Sequence, residues 1–223
     1  MGLVISETQF DKSYSREFVK VPLGSHLARC YELIDLGTQS YEFQGTLKVS
    51  KKVMIKWEIH SEDEDGKGTY TDKGDPLSQS EEYTLSMHEK SNLGVLLRSW
   101  RGKDFTEEER KAFNLNNILG AWCMLSIIPK TNAAGKEFRN VGGATPVPAI
   151  IKKSGLPKGH NELRTFDLDK PDMAFYESFS DGTKAKINKS TEWQALSGKQ
   201  LSHDDPNAVS GGLENMDDDI PFN

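Results

Sequence analysis

Trp122-Cys123-Met124-Leu125-Ser126-Ile127-Ile128, then Thr131-Asn132-Ala133-Ala134-Gly135, then Phe138-Arg139-Asn140-Val141, reads as a strand, a turn and a return strand. The first run is the longest apolar stretch of the chain, and a cluster of small and polar residues interrupts it before apolar character returns. A period of two places Cys123, Leu125 and Ile127 on one face and Trp122, Met124 and Ser126 on the other. With Val141 inside, Phe138 and Asn140 share the outward face. The body of the protein is therefore expected to be mainly β.

Upstream, His26 to Leu36, Tyr41 to Val49 and Lys52 to His60 carry β-like patterns. In the last, Val53, Ile55, Trp57 and Ile59 alternate with Lys52, Met54, Lys56 and Glu58, as a half-buried strand would. Ser61 to Ser80 reads as a long, mobile, acidic loop, and Glu82 to Met87 as a strand. Ser91 is placed to cap a helix carrying Leu93, Val95, Leu96, Leu97 and Trp100, with Gly102 as its stop. Thr106 and Glu109 have capping-box spacing at the start of a second helix ending near Phe113. Leu115, Ile118 and Leu119 add a turn before Gly120. Downstream, Gly142, Gly143 and the prolines up to Pro157 break regularity. Asp172 to Ser180 and Lys184 to Leu196 read as short helices. From about Gly198 the chain lacks periodicity and reads as disordered. The expected division is an arm at 1–20, one binding domain at 21–197 and an acidic tail at 198–223.

Composition narrows the function classes. The chain has 223 residues, of which 35% are hydrophobic and 28% charged, and no apolar run approaches the length of a transmembrane helix. The opening Met1-Gly2 matches a loose acylation pattern, read as accidental, and no secretory signal is visible. Two isolated cysteines, Cys30 and Cys123, fit buried thiols in a reducing compartment. Five scattered histidines support no metal site, no catalytic motif is present, and no cofactor or membrane partner is expected.

Charge is unevenly divided. The formal net charge is -6, and all 28 Lys and Arg lie at or before Lys199. Asp204, Asp205, Glu214, Asp217, Asp218 and Asp219 are six of the 34 acids, so residues 1–203 are neutral and the tail carries the whole excess. Residues 91–165 hold twelve bases against six acids, a basic middle that suits a polyanion.

Strands, a helical insertion and then a strand hairpin follow the order of an OB-fold, giving the expectation of a five-stranded barrel with short C-terminal helices, within an α+β frame. The chain ends Met216-Asp217-Asp218-Asp219-Ile220-Pro221-Phe222-Asn223. This ending resembles the acidic tip of bacterial and bacteriophage single-stranded-DNA-binding proteins. The segments Ser99-Trp100-Arg101-Gly102-Lys103 and Phe105-Thr106-Glu107-Glu108-Glu109 resemble phage replication proteins similar to OB-fold DNA binders. The resemblance implies a non-enzymatic protein that coats single-stranded DNA during replication or recombination in the cytoplasm of an infected bacterial host. It also implies a tail (Asp217, Asp218, Asp219, Ile220, Pro221, Phe222) that recruits a polymerase, helicase or recombinase. Asn223 departs from the pattern by displacing the terminal carboxylate.

Coating a strand needs cations for phosphates and rings for bases. The candidates are Lys48, Lys52, Met54, Lys56, Arg98, Arg101, Lys103, Trp122, Met124, Lys130, Lys136, Phe138, Arg139 and Asn140. Trp57 and Trp100 read as core, whereas Trp122 and Phe138 fit either core or stacking. A strand-annealing recombination protein, a metal-dependent nuclease and a protein-binding adaptor are the alternatives, and self-association is left open.

Overall fold

The computed structural model describes residues 19–61, 69–132 and 134–203. Most of the expected arm, the acidic run Glu62 to Asp65 and the tail from Asp204 lie outside the described residues.

Two long strands organise the chain. β1 (Gly24–Phe43) and β2 (Thr46–Ile59) form one hairpin around Gln44-Gly45. Both turn residues have positive φ, 52° and 73°, the requirement of the tight turn that matches strand twist. The expected separate segment Tyr41 to Val49 therefore straddles this turn. β3 (Ser78–Thr84) follows, beginning inside the stretch expected to be a loop. The helical insertion comprises α1 (Asn92–Arg101), α2 (Glu107–Lys111) and a 3₁₀ turn (Leu115–Ile118). β4 (Trp122–Thr131) and β5 (Glu137–Thr145) form the second hairpin. Gly142 and Gly143 lie inside β5, where a bulge absorbs them opposite Ser126 and Ile127. Beyond come α3 (Ala149–Ser154), β6 (Arg164–Phe166), α4 (Met173–Glu177), α5 (Asp181–Asn188) and α6 (Thr191–His203). The C-terminal region thus holds three helices where two were expected, and α6 continues past Gly198.

The sheet order is β3-β2-β1-β4-β5, with β6 paired to β1. This six-stranded sheet does not close, which overturns the expected five-stranded OB barrel. β3 and β5 are its end strands, and side chains connect them where a barrel would have a main-chain ladder. Gln79 Nε2 donates to the Arg139 carbonyl at 3.0 Å, and the Val141 N–H donates to Glu81 Oε2 at 3.2 Å. Hydrophobic alternation specifies strand order and facing residues, but closure depends on tilt and shear, which alternation does not encode.

The chain forms two compact units. The first contains residues up to Ile34 and Met54–Thr165. Its core takes Cys30, Leu33 and Ile34 from β1, Ile55, Trp57 and Ile59 from β2, and Cys123, Leu125 and Ile127 from β4. α1 adds Leu93, Leu96, Leu97 and Trp100, the i, i+3, i+4, i+7 stripe of an amphipathic helix. The Trp100 ring lies 6.1 Å from Trp57, and its Nε1 donates to the Trp122 carbonyl at 3.0 Å. Ser91 accepts from the Gly94 N–H at the start of α1, and Gly102, at φ 74°, closes its end.

The second unit comprises Asp35–Val53 and the chain from Phe166. Phe166, Phe175, Tyr176, Phe179 and Trp193 pack ring against ring, with Tyr176 and Trp193 stacked at 4.4 Å. Gly37 sits at φ 68°, and a Cβ there would lie 2.5 Å from the Ser190 Cβ. Glycine lets β1 turn under α6, where Thr38 donates through both its N–H and its hydroxyl to the Glu192 carboxylate, each at 2.7 Å.

Candidate nucleic-acid interface

The β4–β5 hairpin keeps the alternation read in its sequence. Cys123, Leu125 and Ile127 are buried, while Trp122, Met124 and Ser126 on the opposite parity are half-buried. Past Ile127 the character changes. Every described residue from Ile128 to Phe138 is exposed, so the end of the hairpin stands clear of the core. Register places Lys130 opposite Phe138 and Ile128 opposite Asn140. Directly opposed residues share a face, so Lys130, Phe138, Ile128 and Asn140 line one side of this arm. Phe138 is 41% exposed, and Lys136 Nζ lies 5.6 Å from its ring centroid. A solvent-facing ring between two lysines therefore occupies the arm.

The remaining candidates are distributed differently. Arg139 pairs with the Glu137 carboxylate. Arg98 Nε lies 3.6 Å from Asp104 Oδ1. The Arg101 guanidinium forks onto Glu109 at 2.8 and 2.5 Å and covers the Phe105 ring at 4.6 Å. Hydrogen bonds from Arg101 and from the Thr106 N–H hold the Glu109 carboxyl at about 2. The expected capping box is therefore present, and Arg101 fastens it to the end of α1. Lys103 is exposed beside this group.

On β2, Met54 is only 6% exposed, a correction to its expected outward position. The second half of this strand has buried residues on both faces, since Met54 and Glu58 are covered as well as Ile55 and Trp57. Lys56 Nζ lies 2.5 Å from Glu32 Oε1. Lys48 and Lys52 belong to the second unit, where Lys52 Nζ lies 5.3 Å over the Tyr41 ring. The single outward face expected from alternation is thus divided. The hairpin arm brings Lys130, Lys136 and Phe138 together, Arg139 pairs with Glu137 on the same arm, and Lys56, Arg98 and Arg101 are held by carboxylates outside it.

An apolar cleft of about 580 Å³ lies between α1, α2 and the 3₁₀ turn, lined by Leu97, Trp100, Phe105, Phe113 and Ile118. Its one cation, Arg101, is held by Glu109, so it offers little to a phosphate.

A second group escaped the sequence reading. Trp122 lies 5.1 Å from the buried His60 ring, and His60 lies 6.3 Å from Tyr70 at 80°. Glu58, expected on a solvent face, is fully buried and anchors this region. Arg29 Nε approaches Glu58 Oε1 at 2.7 Å and His60 Nε2 approaches it at 3.1 Å. The N–H groups of His160 and Asn161 donate to the same carboxylate at 3.1 and 2.7 Å, and Asn161 Nδ2 donates at 2.7 Å. Burial alone would raise the Glu58 carboxyl, but these donors outweigh it and hold the group below its ordinary value. The signal in the sequence was a charged residue directly between Trp57 and Ile59, but alternation assigns that position to solvent.

Among the described residues no group of three or more His, Cys, Asp or Glu could hold a metal ion. Burial pushes the Cys30 and Cys123 thiols far above their ordinary value, so both stay protonated.

No family model matches this chain, and no curated protein is found to be similar to it. The resemblance to OB-type single-stranded-DNA-binding proteins is corrected by the open sheet.

Proposed function

We propose that this protein binds single-stranded DNA without sequence preference, as a non-enzymatic component of DNA replication or recombination. The observation that supports this reading is the β4–β5 arm, where Lys130 and Lys136 flank the exposed Phe138 ring. An aromatic face accepts any base, and flanking ammonium groups meet the phosphates on either side, so the contact tolerates all sequences. The acidic segment 204–223 is proposed to recruit partner proteins, with Ile220 and Phe222 as apolar anchors and Asp217 to Asp219 meeting a basic rim.

Fluorescence anisotropy with labelled oligothymidylate tests the first part. The intact chain is expected to bind at low salt. Phe138→Ala should weaken binding by about 5- to 150-fold, the equivalent of roughly 1–3 kcal/mol for one stacked base. Replacing Lys130 and Lys136 by Ala should lower the slope of log K against log salt by about 0.7 per lost phosphate contact. Wild-type affinity in all three variants removes the arm from the interface.

A further inference from the structure

The turn 69–77 and the loop 157–160 enclose a cup of about 380 Å³ within the first unit, lined by His60, Tyr70, Pro76, Pro157, Lys158 and His160. None of its lining residues was among the candidates read from the sequence. Ligand pockets run from about 300 to 1,000 Å³, so this one suits a single small ligand.

Its chemistry is specific. His60 and Tyr70 stand at 80° to each other, so a flat ring laid against one meets the other with its edge. Tyr70 is 38% exposed, whereas His60 is buried. The proline rings add apolar wall. Lys158 supplies a cation on the loop, and His160 Nε2 lies 3.3 Å from Asp75 Oδ1 across the cup. Rings at right angles beside an ammonium group match a nucleobase with its phosphate.

The cup is also built in advance. One buried carboxylate, Glu58, holds both His60 and the main chain of His160 and Asn161. Arg29 bridges the same carboxylate and the Asn161 carbonyl, the latter at 2.5 Å. On the opposite wall, the Thr69 hydroxyl donates to the Ile59 carbonyl at 3.0 Å, and Leu77 N–H donates to the Thr69 carbonyl at 2.7 Å. These ties fix the spacing between the walls, so little ordering is left for a ligand to impose.

We infer that this cup is a nucleotide subsite, taking one base of a bound strand between Tyr70 and the loop, with its phosphate at Lys158. This rests on the single-stranded-DNA reading and extends it from the hairpin arm to a second, separately built contact.

The test uses the full chain and its Tyr70→Ala, Tyr70→Phe and Lys158→Glu variants, with circular dichroism confirming the fold of each. Two probes are titrated: labelled oligothymidylate by anisotropy, and thymidine monophosphate by the change in tryptophan emission. Trp122, beside His60, makes the second readout sensitive to the cup. The expected result is that Tyr70→Ala and Lys158→Glu each weaken oligothymidylate at least about five-fold, whereas Tyr70→Phe keeps the ring and the affinity. An oligothymidylate carrying iodouracil should cross-link to Tyr70. If the chain binds oligothymidylate but all variants match wild type and no cross-link forms, the subsite is rejected and the arm stands. If the chain ignores oligothymidylate but binds thymidine monophosphate in a Tyr70-dependent way, the cup is a mononucleotide site and its role in holding a strand falls with the strand reading. Binding of neither probe overturns both.

Discussion

Glu58 is charged inside a strand that buries both faces, and three hydrogen bonds from His160 and Asn161, with the close approach of Arg29 and His60, make that tolerable. Removing its charge leaves the Arg29 guanidinium without a counter-ion in a buried site, a change that costs about 3–5 kcal/mol. Glu58→Gln should therefore lower the free energy of unfolding in urea by that order at neutral pH. The sign of the pH effect follows from the depressed carboxyl. Its folded value lies below the ordinary 4.5, so its stabilisation is present above that pH and is lost as pH falls through the folded value. Wild-type stability should fall over this acid window, and Glu58→Gln should give a flatter curve there. Gly159 belongs to the same device. A Cβ at this position would fall 1.7 Å from Arg29 Cζ and Nη1. Although a guanidinium is the end of a flexible side chain, this one is fixed by Glu58 and the Asn161 carbonyl. Gly159→Ala should thus displace the loop and destabilise the chain, measurable as a lower midpoint of thermal unfolding, with Gly143→Ala, where an added Cβ meets nothing within 4 Å, as the comparison.

Among the elements, those defined by local chemistry were legible and those defined by tertiary context were not. α1 shows the first case: Ser91, the apolar stripe and Gly102 mark its ends and its buried face directly. Ser91→Ala should cost about 1 kcal/mol in urea unfolding, the usual penalty for losing such a cap. β4 is equally readable, because one buried face imposes a strict period of two. β2 is not, because its second half has buried residues on both sides, and Met54 and Glu58 are buried against their pattern. Gln44-Gly45 was missed as a turn because the apolar residues around it continue the alternation through it. The candidate arm was partly legible: Lys130, Lys136, Phe138 and the turn were all identified. Its separation from Arg98, Arg101 and Lys56 was not, since an ion pair such as Lys56 with Glu32 joins residues far apart in sequence. The cup was invisible for the same reason, being assembled from a turn and a loop about ninety residues apart.

For the molecule as a whole, charge separates residues 1–203 from residues 204–223. Residues 1–203 are neutral and the six acids beyond them carry the entire net charge of -6. A tethered polyanion competes with DNA for cations at a high effective concentration, and salt screens that competition. Deleting residues 204–223 should therefore tighten oligothymidylate binding, most at low ionic strength, and leave the urea midpoint unchanged; equal affinity with and without them at low salt rejects the competition. The manner in which the end strands meet has a further consequence. Main-chain rungs between strands are available to nearly every amino acid, but the contacts of Gln79 with Arg139 and of Glu81 with Val141 each require one particular side chain. The junction between β3 and β5 thus depends on side-chain identity at Gln79 and Glu81, and descendants of this chain could loosen or tighten it by point substitution without rewriting any strand.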